Sequence, residues 1–252
     1  MARIQKDTRI KVIQDLSADA QKYLKRRSLL KAYDLQEKIL QTLVKEHVDH
    51  TSYEAVDLKA KLLNMFYSTG IQAMNKVVER IMSIKDIDEI LHEEKYSKKL
   101  IDTIAQLNLS DGSTRNNYSF ATKYCALHQP EKYPIYDSIV AAIFVALFKN
   151  AGMPPYTLKK NKKVESTETC MSKVEFANKL RDYDFFVQVY DCFMDNYGLS
   201  GKFDYRKVDW YLWGSYKDGE IETKIEVLTR LDKSKYVPSK PKEIKKSIKI
   251  KD

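Results

Sequence analysis

Apolar residues recur along most of this chain at three- and four-residue spacings, the period of helices that bury one face. Residues 8–25 place Ile10, Ile13, Leu16, Ala20 and Leu24 on one side of a helix. Ser28 then stands as the cap of a longer one carrying Leu29, Leu30, Tyr33, Ile39, Leu40, Leu43 and Val44. Between residues 52 and 82, Val56, Leu62, Leu63 and Phe66 mark one helix, and Ile71, Met74, Val77, Val78 and Ile81 a second. The break falls at Ser68-Thr69-Gly70, where glycine relieves the backbone. Two shorter patterns come next, Ile84-Ile87-Ile90-Leu91 and Leu100-Ile101-Ile104-Leu107, and then a turn at Ser110-Asp111-Gly112-Ser113. A helix over residues 119–128 and an apolar run through Ile139, Val140, Ile143, Phe144 and Leu147 frame a loop containing Pro130 and Pro134. Residues 149–172 turn polar and prolyl, which predicts a loop. Two helices are expected between Ser172 and Asn196, stopped by Gly198, and another over Y-R-K-V-D-W-Y-L-W-G-S-Y, with Val208, Leu212 and Trp213 inward. Residues 217–234 permit either a helix or a short strand at Glu220-Ile221-Glu222.

Composition agrees with an all-α class: seven glycines and six prolines are few for 252 residues. That length allows one large domain or two lobes with a substantial core. The pattern divides into a helical extension over residues 1–50 packed on the body, a helical body over 51–234, and a tail over 235–252. The tail is prolyl and lysine-rich, which favours disorder. It carries +5 of the formal +9, leaving a mildly basic body at +4. A polyanionic partner is compatible with that balance. Cys125, Cys170 and Cys192 have neither a disulfide framework nor zinc-ligand spacing, and the four histidines add no metal site. No metal and no cofactor are expected. The amino terminus lacks an apolar signal region and no run reaches the ~20 apolar residues of a membrane span, so a cytoplasmic protein is expected.

Candidate chemistry gathers in residues 116–146. Lys123 opens the pattern of one helix and Asp137 stands at the threshold of the next, with a loop between them long enough to run back. Each residue has an ordinary reading. An aspartate before an apolar run is a good N-cap, worth ~1 kcal/mol, and a lysine beside an apolar stripe is usually a solvated one. The lysines Lys159, Lys160, Lys162 and Lys163 in the polar loop fit either a solvated surface or contact with DNA.

The segments S-F-A-T-K-Y-C and Y-P-I-Y-D-S-I-V, in that order, resemble the helix-hairpin-helix DNA glycosylases, in particular the bacterial proteins similar to 8-oxoguanine DNA glycosylase. The helix around Asp209 and Trp213 resembles the closing D-x-x-L-W helix of those proteins, which carries the similarity through Tyr216. Arg115-Asn116-Asn117-Tyr118 stands where the family has its glycine-rich hairpin, and Ile139 where a histidine often follows the aspartate.

The resemblance implies a two-lobed helical glycosylase-like fold with a divergent helix-hairpin-helix element. It implies base excision from double-stranded DNA, with Lys123 as nucleophile and Asp137 stabilising positive charge on the sugar. Such an enzyme flips the target nucleotide out of the stack at a cost of a few kcal/mol, and its lysine attacks only when neutral. Ser68, Thr69 and Gln72 become candidates for a wedge that fills the vacated stack, an ordinary helix corner being the other reading. Arg115, Asn116 and Asn117 become candidates for phosphate contact. An oxidised purine such as 8-oxoguanine is the implied base, and a nucleoid-associated location is implied for a bacterial protein. A non-catalytic helical DNA-binding or interaction protein that keeps the fold is the alternative.

Overall fold

The computed structural model describes residues 12–27, 31–109, 112–159, 165–217 and 223–231, and about 62% of them are helical. Twelve helices follow in order: α1 (Ser17–Arg27), α2 (Lys31–Glu46), α3 (Tyr53–Phe66), α4 (Met74–Met82), α5 (Ile87–His92), α6 (Lys98–Ala105), α7 (Tyr118–His128), α8 (Ser138–Asn150), α9 (Lys173–Lys179), α10 (Tyr183–Asn196), α11 (Tyr205–Lys217) and α12 (Lys224–Thr229). Two small sheets interrupt them. Strands β1 (Gln106–Asn108) and β2 (Thr114–Asn116) pair antiparallel between α6 and α7, with Leu107 opposite Arg115. Strands β3 (Thr157–Leu158) and β4 (Cys170–Met171) pair in parallel within the segment expected to be loop. Two-residue strands leave no periodicity long enough to read, which is why composition alone suggested a loop there.

The all-helical expectation holds for the body, with local corrections. The first helix begins at Ser17 rather than near residue 8 among the described residues, and Ile13 is exposed while Leu16 is fully buried. The extended stretch before α1 is held by backbone bonds from Ile13 and Leu16 to the carbonyls of Asn196 and Tyr197, 2.8 and 2.9 Å. Those partners lie far along the chain, so they leave no local signal. Ile10, the Ser28 cap, the turn residues Ser110 and Asp111, Glu220-Ile221-Glu222 and the 235–252 tail lie outside the described residues. Among the described residues no helix is long and apolar enough to cross a membrane.

One hydrophobic cluster joins the N-terminal helices to the rest. Leu16, Ala20 and Tyr23 of α1 and Leu40 of α2 belong to the same buried set as Phe144 of α8, Phe193 of α10 and Leu212 of α11. Helix α10 supplies the aromatic centre, with Tyr183, Phe186, Tyr190 and Phe193 all inaccessible. Phe148 and Phe176 stack with centroids 4.2 Å apart and planes nearly parallel, fixing α9 against α8. Helix α1 reaches α11 closely because Gly214 has no side chain: a Cβ there would fall 1.7 Å from the Tyr23 hydroxyl oxygen.

The contact between α3, α5 and α7 is polar. Lys59, fully buried, donates to the carbonyls of His47 (3.0 Å) and Asp49 (3.2 Å) just beyond α2. Desolvation draws its ammonium down to about 8. Nearby, His50 Nδ1 lies 2.6 Å from Asp88 Oδ1, and its ring is 4.8 Å from that of His128. Burial lowers both imidazoles from the usual 6.5, against the pull of Asp88 on His50. Their contribution to stability is therefore full above pH 6.5 and is lost as the pH falls below it, because the unfolded chain then binds protons that the fold refuses. The melting temperature is expected to drop between pH 7 and pH 5, and His50→Gln/His128→Gln should flatten that slope. An equal slope in the double variant would remove these two rings as its cause.

Candidate active site

The α6–hairpin–α7 unit sets the position of Lys123. Asn117 begins α7, and its amide donates to the Ala105 carbonyl at the end of α6, 2.8 Å, so the two helices are locked across the β-hairpin. Gly112, at φ +79°, lies in the hairpin connection, where Leu109 N donates to Ser113 O at 2.8 Å. Within α7 a serine and a lysine share one face, since positions i and i+4 are neighbours on a helix. Ser119 and Lys123 are that pair: Lys123 Nζ donates to Ser119 Oγ at 2.9 Å.

The loop after α7 folds back over its start, as the sequence suggested. Ser119 Oγ donates to the Tyr136 carbonyl (3.0 Å), the Tyr136 amide donates to Thr122 Oγ1 (3.1 Å), and the Tyr183 hydroxyl donates to the Pro134 carbonyl (3.0 Å). These bonds deliver Asp137 to the lysine. Its Oδ1 accepts from the Ile139 amide at 2.8 Å, capping α8, and its Oδ2 accepts from Lys123 Nζ at 3.2 Å. Asp137 is thus both the cap and the partner of Lys123. The lysine is only 4% exposed.

Lys123 and Asp137 lie on the wall of a cleft of about 630 Å³. Ser68, Thr69 and Gly70 from the α3–α4 turn line it, as do Arg115, Asn116 and Asn117 from β2 and the start of α7. Those residues come from three separate stretches of sequence, and the fold brings them to one opening. Gln72 is exposed and does not line the cleft. Lys159 is elsewhere too, with Nζ donating to Ser166 Oγ at 3.2 Å, and Lys160, Lys162 and Lys163 lie outside the described residues. The volume is ordinary for a small-ligand site, which spans ~300–1,000 Å³.

Several residues of the site carry no sequence signal. Asn64 pins the turn from within α3: its Oδ1 accepts from the Ile71 amide (3.1 Å) and its Nδ2 donates to the Ile71 carbonyl (3.0 Å). That hold maintains Ser68 at φ +48°, a left-handed conformation seldom adopted by serine. The Tyr67 ring lies under the lysine, 5.6 Å from Nζ to its centroid. Beneath it Arg206 of α11 bonds both the Tyr67 hydroxyl and the Glu37 carboxylate of α2, and approaches Asp209 at 3.7 Å. Burial raises the Tyr67 phenol, so it stays protonated. Asp209, three residues on in the same helix, is buried beside that arginine. Ser119 was legible in principle through its four-residue spacing from Lys123; Glu37 and Arg206, 169 residues apart, were not.

At the mouth, Asn117 Nδ2 and the Tyr118 hydroxyl are buried without a hydrogen-bond partner among the described residues. Such groups are costly to leave unsatisfied. Among the described residues no group of three His, Cys, Asp or Glu side chains is arranged to hold a metal ion. Chemically, the cleft offers an amine, a carboxylate within reach of it, a hydroxyl beside both, and polar groups from a hairpin and a turn on its rim.

A family profile described as HI_0787_N, N-terminal domain, matches residues 19–132. That span takes in the turn at 68–70, the hairpin and Lys123 but ends before Asp137. A Haemophilus influenzae protein bearing the name "Uncharacterized protein" is 36% identical over 98 residues, which make up 39% of this chain and 47% of that protein. The chain therefore spans about half the length of the curated relative it matches. No solved structure matches.

Proposed function

We propose that the protein is a DNA glycosylase, with an accompanying lyase step, that removes a damaged or modified base from double-stranded DNA. The observation that carries this reading is the 3.2 Å approach of Lys123 Nζ to Asp137 Oδ2 on the wall of a cleft shared with the 68–70 turn and the hairpin. The placement of a β-hairpin between α6 and α7 supports a divergent helix-hairpin-helix element within a glycosylase-like fold. Oxidised purine is the substrate class that the sequence resemblance suggests.

The reaction uses the groups in place. An extruded nucleotide enters the cleft while Ser68 and Thr69 approach the gap it leaves. As the bond between sugar and base breaks, positive charge grows on the sugar and Asp137 stabilises it. The electron pair of the broken bond leaves with the base, which takes up a proton. The ammonium proton of Lys123 passes to the departing base, the freed amine forms a bond to C1′, and Asp137 keeps its charge throughout. Ring opening gives a protonated Schiff base. Loss of a C2′ proton then expels the 3′ phosphate and cuts the strand, and water releases the lysine.

Duplexes each bearing a different damaged or modified base, assayed for base release and strand cleavage, test the reading. At least one should be processed, with a covalent adduct captured by borohydride. No base release from the whole panel would count against the enzyme. A non-catalytic DNA-binding protein with the same arrangement is the second reading, favoured by an Asp137 carboxylate whose two oxygens are already engaged.

A further inference from the structure

A second groove of about 490 Å³ opens from the active-site cleft, and Tyr136, Ser138 and Arg181 line both. It runs along α8 between α9 and the end of α12. Its floor is low because Ala141, Ala142 and Ala177 present only methyl groups. Its charged residues are Lys149, Lys173, Arg181 and Arg230, and no aspartate or glutamate lines it. All four cations are exposed, and none makes an ion pair with a carboxylate among the described residues. The Arg230 backbone is held at φ +51° as the cap of α12, and Asn150 Nδ2 donates to the neighbouring Thr229 carbonyl at 2.8 Å, which closes that side of the groove.

A row of uncompensated cations along a shallow channel fits a polyanion better than any apolar partner. From Ser138 to Lys149 is eleven residues of helix, ~16 Å at ~1.5 Å per residue. Nucleotides rise ~3.4 Å along one strand, so the channel accommodates roughly four to five of them. In sequence, the lysine-rich segment 235–252 comes closely after Leu231, itself a lining residue.

We infer that this groove holds the phosphate backbone of the DNA strand that carries the reacting nucleotide, on one flank of the active-site cleft. The inference rests on the DNA reading above and adds the track that the strand takes. Phosphate contacts release counterions, so each contributes about 0.9 to the slope of log affinity against log salt concentration.

The test uses the full chain and a duplex with a tetrahydrofuran abasic analogue, with binding followed by fluorescence anisotropy between low and moderate salt. The triple variant Lys149→Gln/Lys173→Gln/Arg230→Gln should lower the slope by roughly 2 to 3 and weaken binding at least tenfold at low salt. Lys22→Gln/Lys38→Gln/Lys45→Gln, at positions lining neither cavity, should change the slope by much less. Lys149→Arg/Lys173→Arg/Arg230→Lys should restore the wild-type slope. A groove variant with an unchanged slope, a control that loses as much, or a wild-type protein that does not bind the duplex overturns the inference. Absence of base release together with a reduced slope in the groove variant would remove only the enzymatic reading.

Discussion

Lys123→Gln should abolish the covalent protein–DNA adduct that borohydride captures during turnover, and should slow base release on the order of 10³-fold or more, the usual scale for loss of a nucleophile. The glutamine amide keeps a donor near Ser119 and Asp137, so DNA binding is expected to change little. Stability is a separate effect. The pair is nearly dry, with side chains 5% and 16% exposed, and removing one member of such a pair costs about 3–5 kcal/mol when the other charge is left alone. Thermal melting beside the adduct assay separates the two effects. An adduct formed at the wild-type rate by a folded Lys123→Gln protein would transfer the nucleophile's role elsewhere.

Asp137→Asn should reduce base release by about 10²–10³-fold, the range found when one stabilising group is withdrawn from a transition state, while affinity for duplex DNA stays close to wild type. The substitution keeps the backbone geometry but leaves buried Lys123 without its carboxylate, at the same cost of about 3–5 kcal/mol, so thermal melting is again read beside activity. Asparagine serves as an N-cap about as well as aspartate, so the bond from the Ile139 amide survives and only the negative charge beside Lys123 is lost. Asp137→Ala removes the cap as well and should cost about 1 kcal/mol more on that account. If Asp137→Asn releases base as fast as the wild type, the carboxylate is a cap and an ion-pair partner only, and the DNA-binding reading takes its place.

The sequence disclosed the site in proportion to how local its determinants are. Lys123 and Asp137 belong to a single segment whose helix period and prolines announce a helix, a return and a second helix. The turn at Ser68-Thr69-Gly70 was marked by its glycine. What escaped notice depends on residues that meet only after folding. The β-hairpin between α6 and α7 is three residues a side, and β2 has no buried side chain to give it an alternating pattern. Lys59 falls in register with Val56 and Leu63 on the buried stripe of α3, where its charge argues for solvent, and only the carbonyls of the chain beyond α2 explain its enclosure. Gln72 fell just outside the turn that Asn64 holds, and nothing in the period of α4 distinguishes a residue on the rim from one past it.

The Arg206 side chain ties this site to a distant part of the chain. By bonding Tyr67 and Glu37 together it makes the floor under Lys123 depend on α11, while α1 is fitted against that same helix at Gly214. The stretch that the family profile matches, residues 19–132, is consequently no module to be excised and expressed. Severed after residue 132, it would present α1 and the underside of Tyr67 to water, and the amine would lose the carboxylate that the returning loop brings to it.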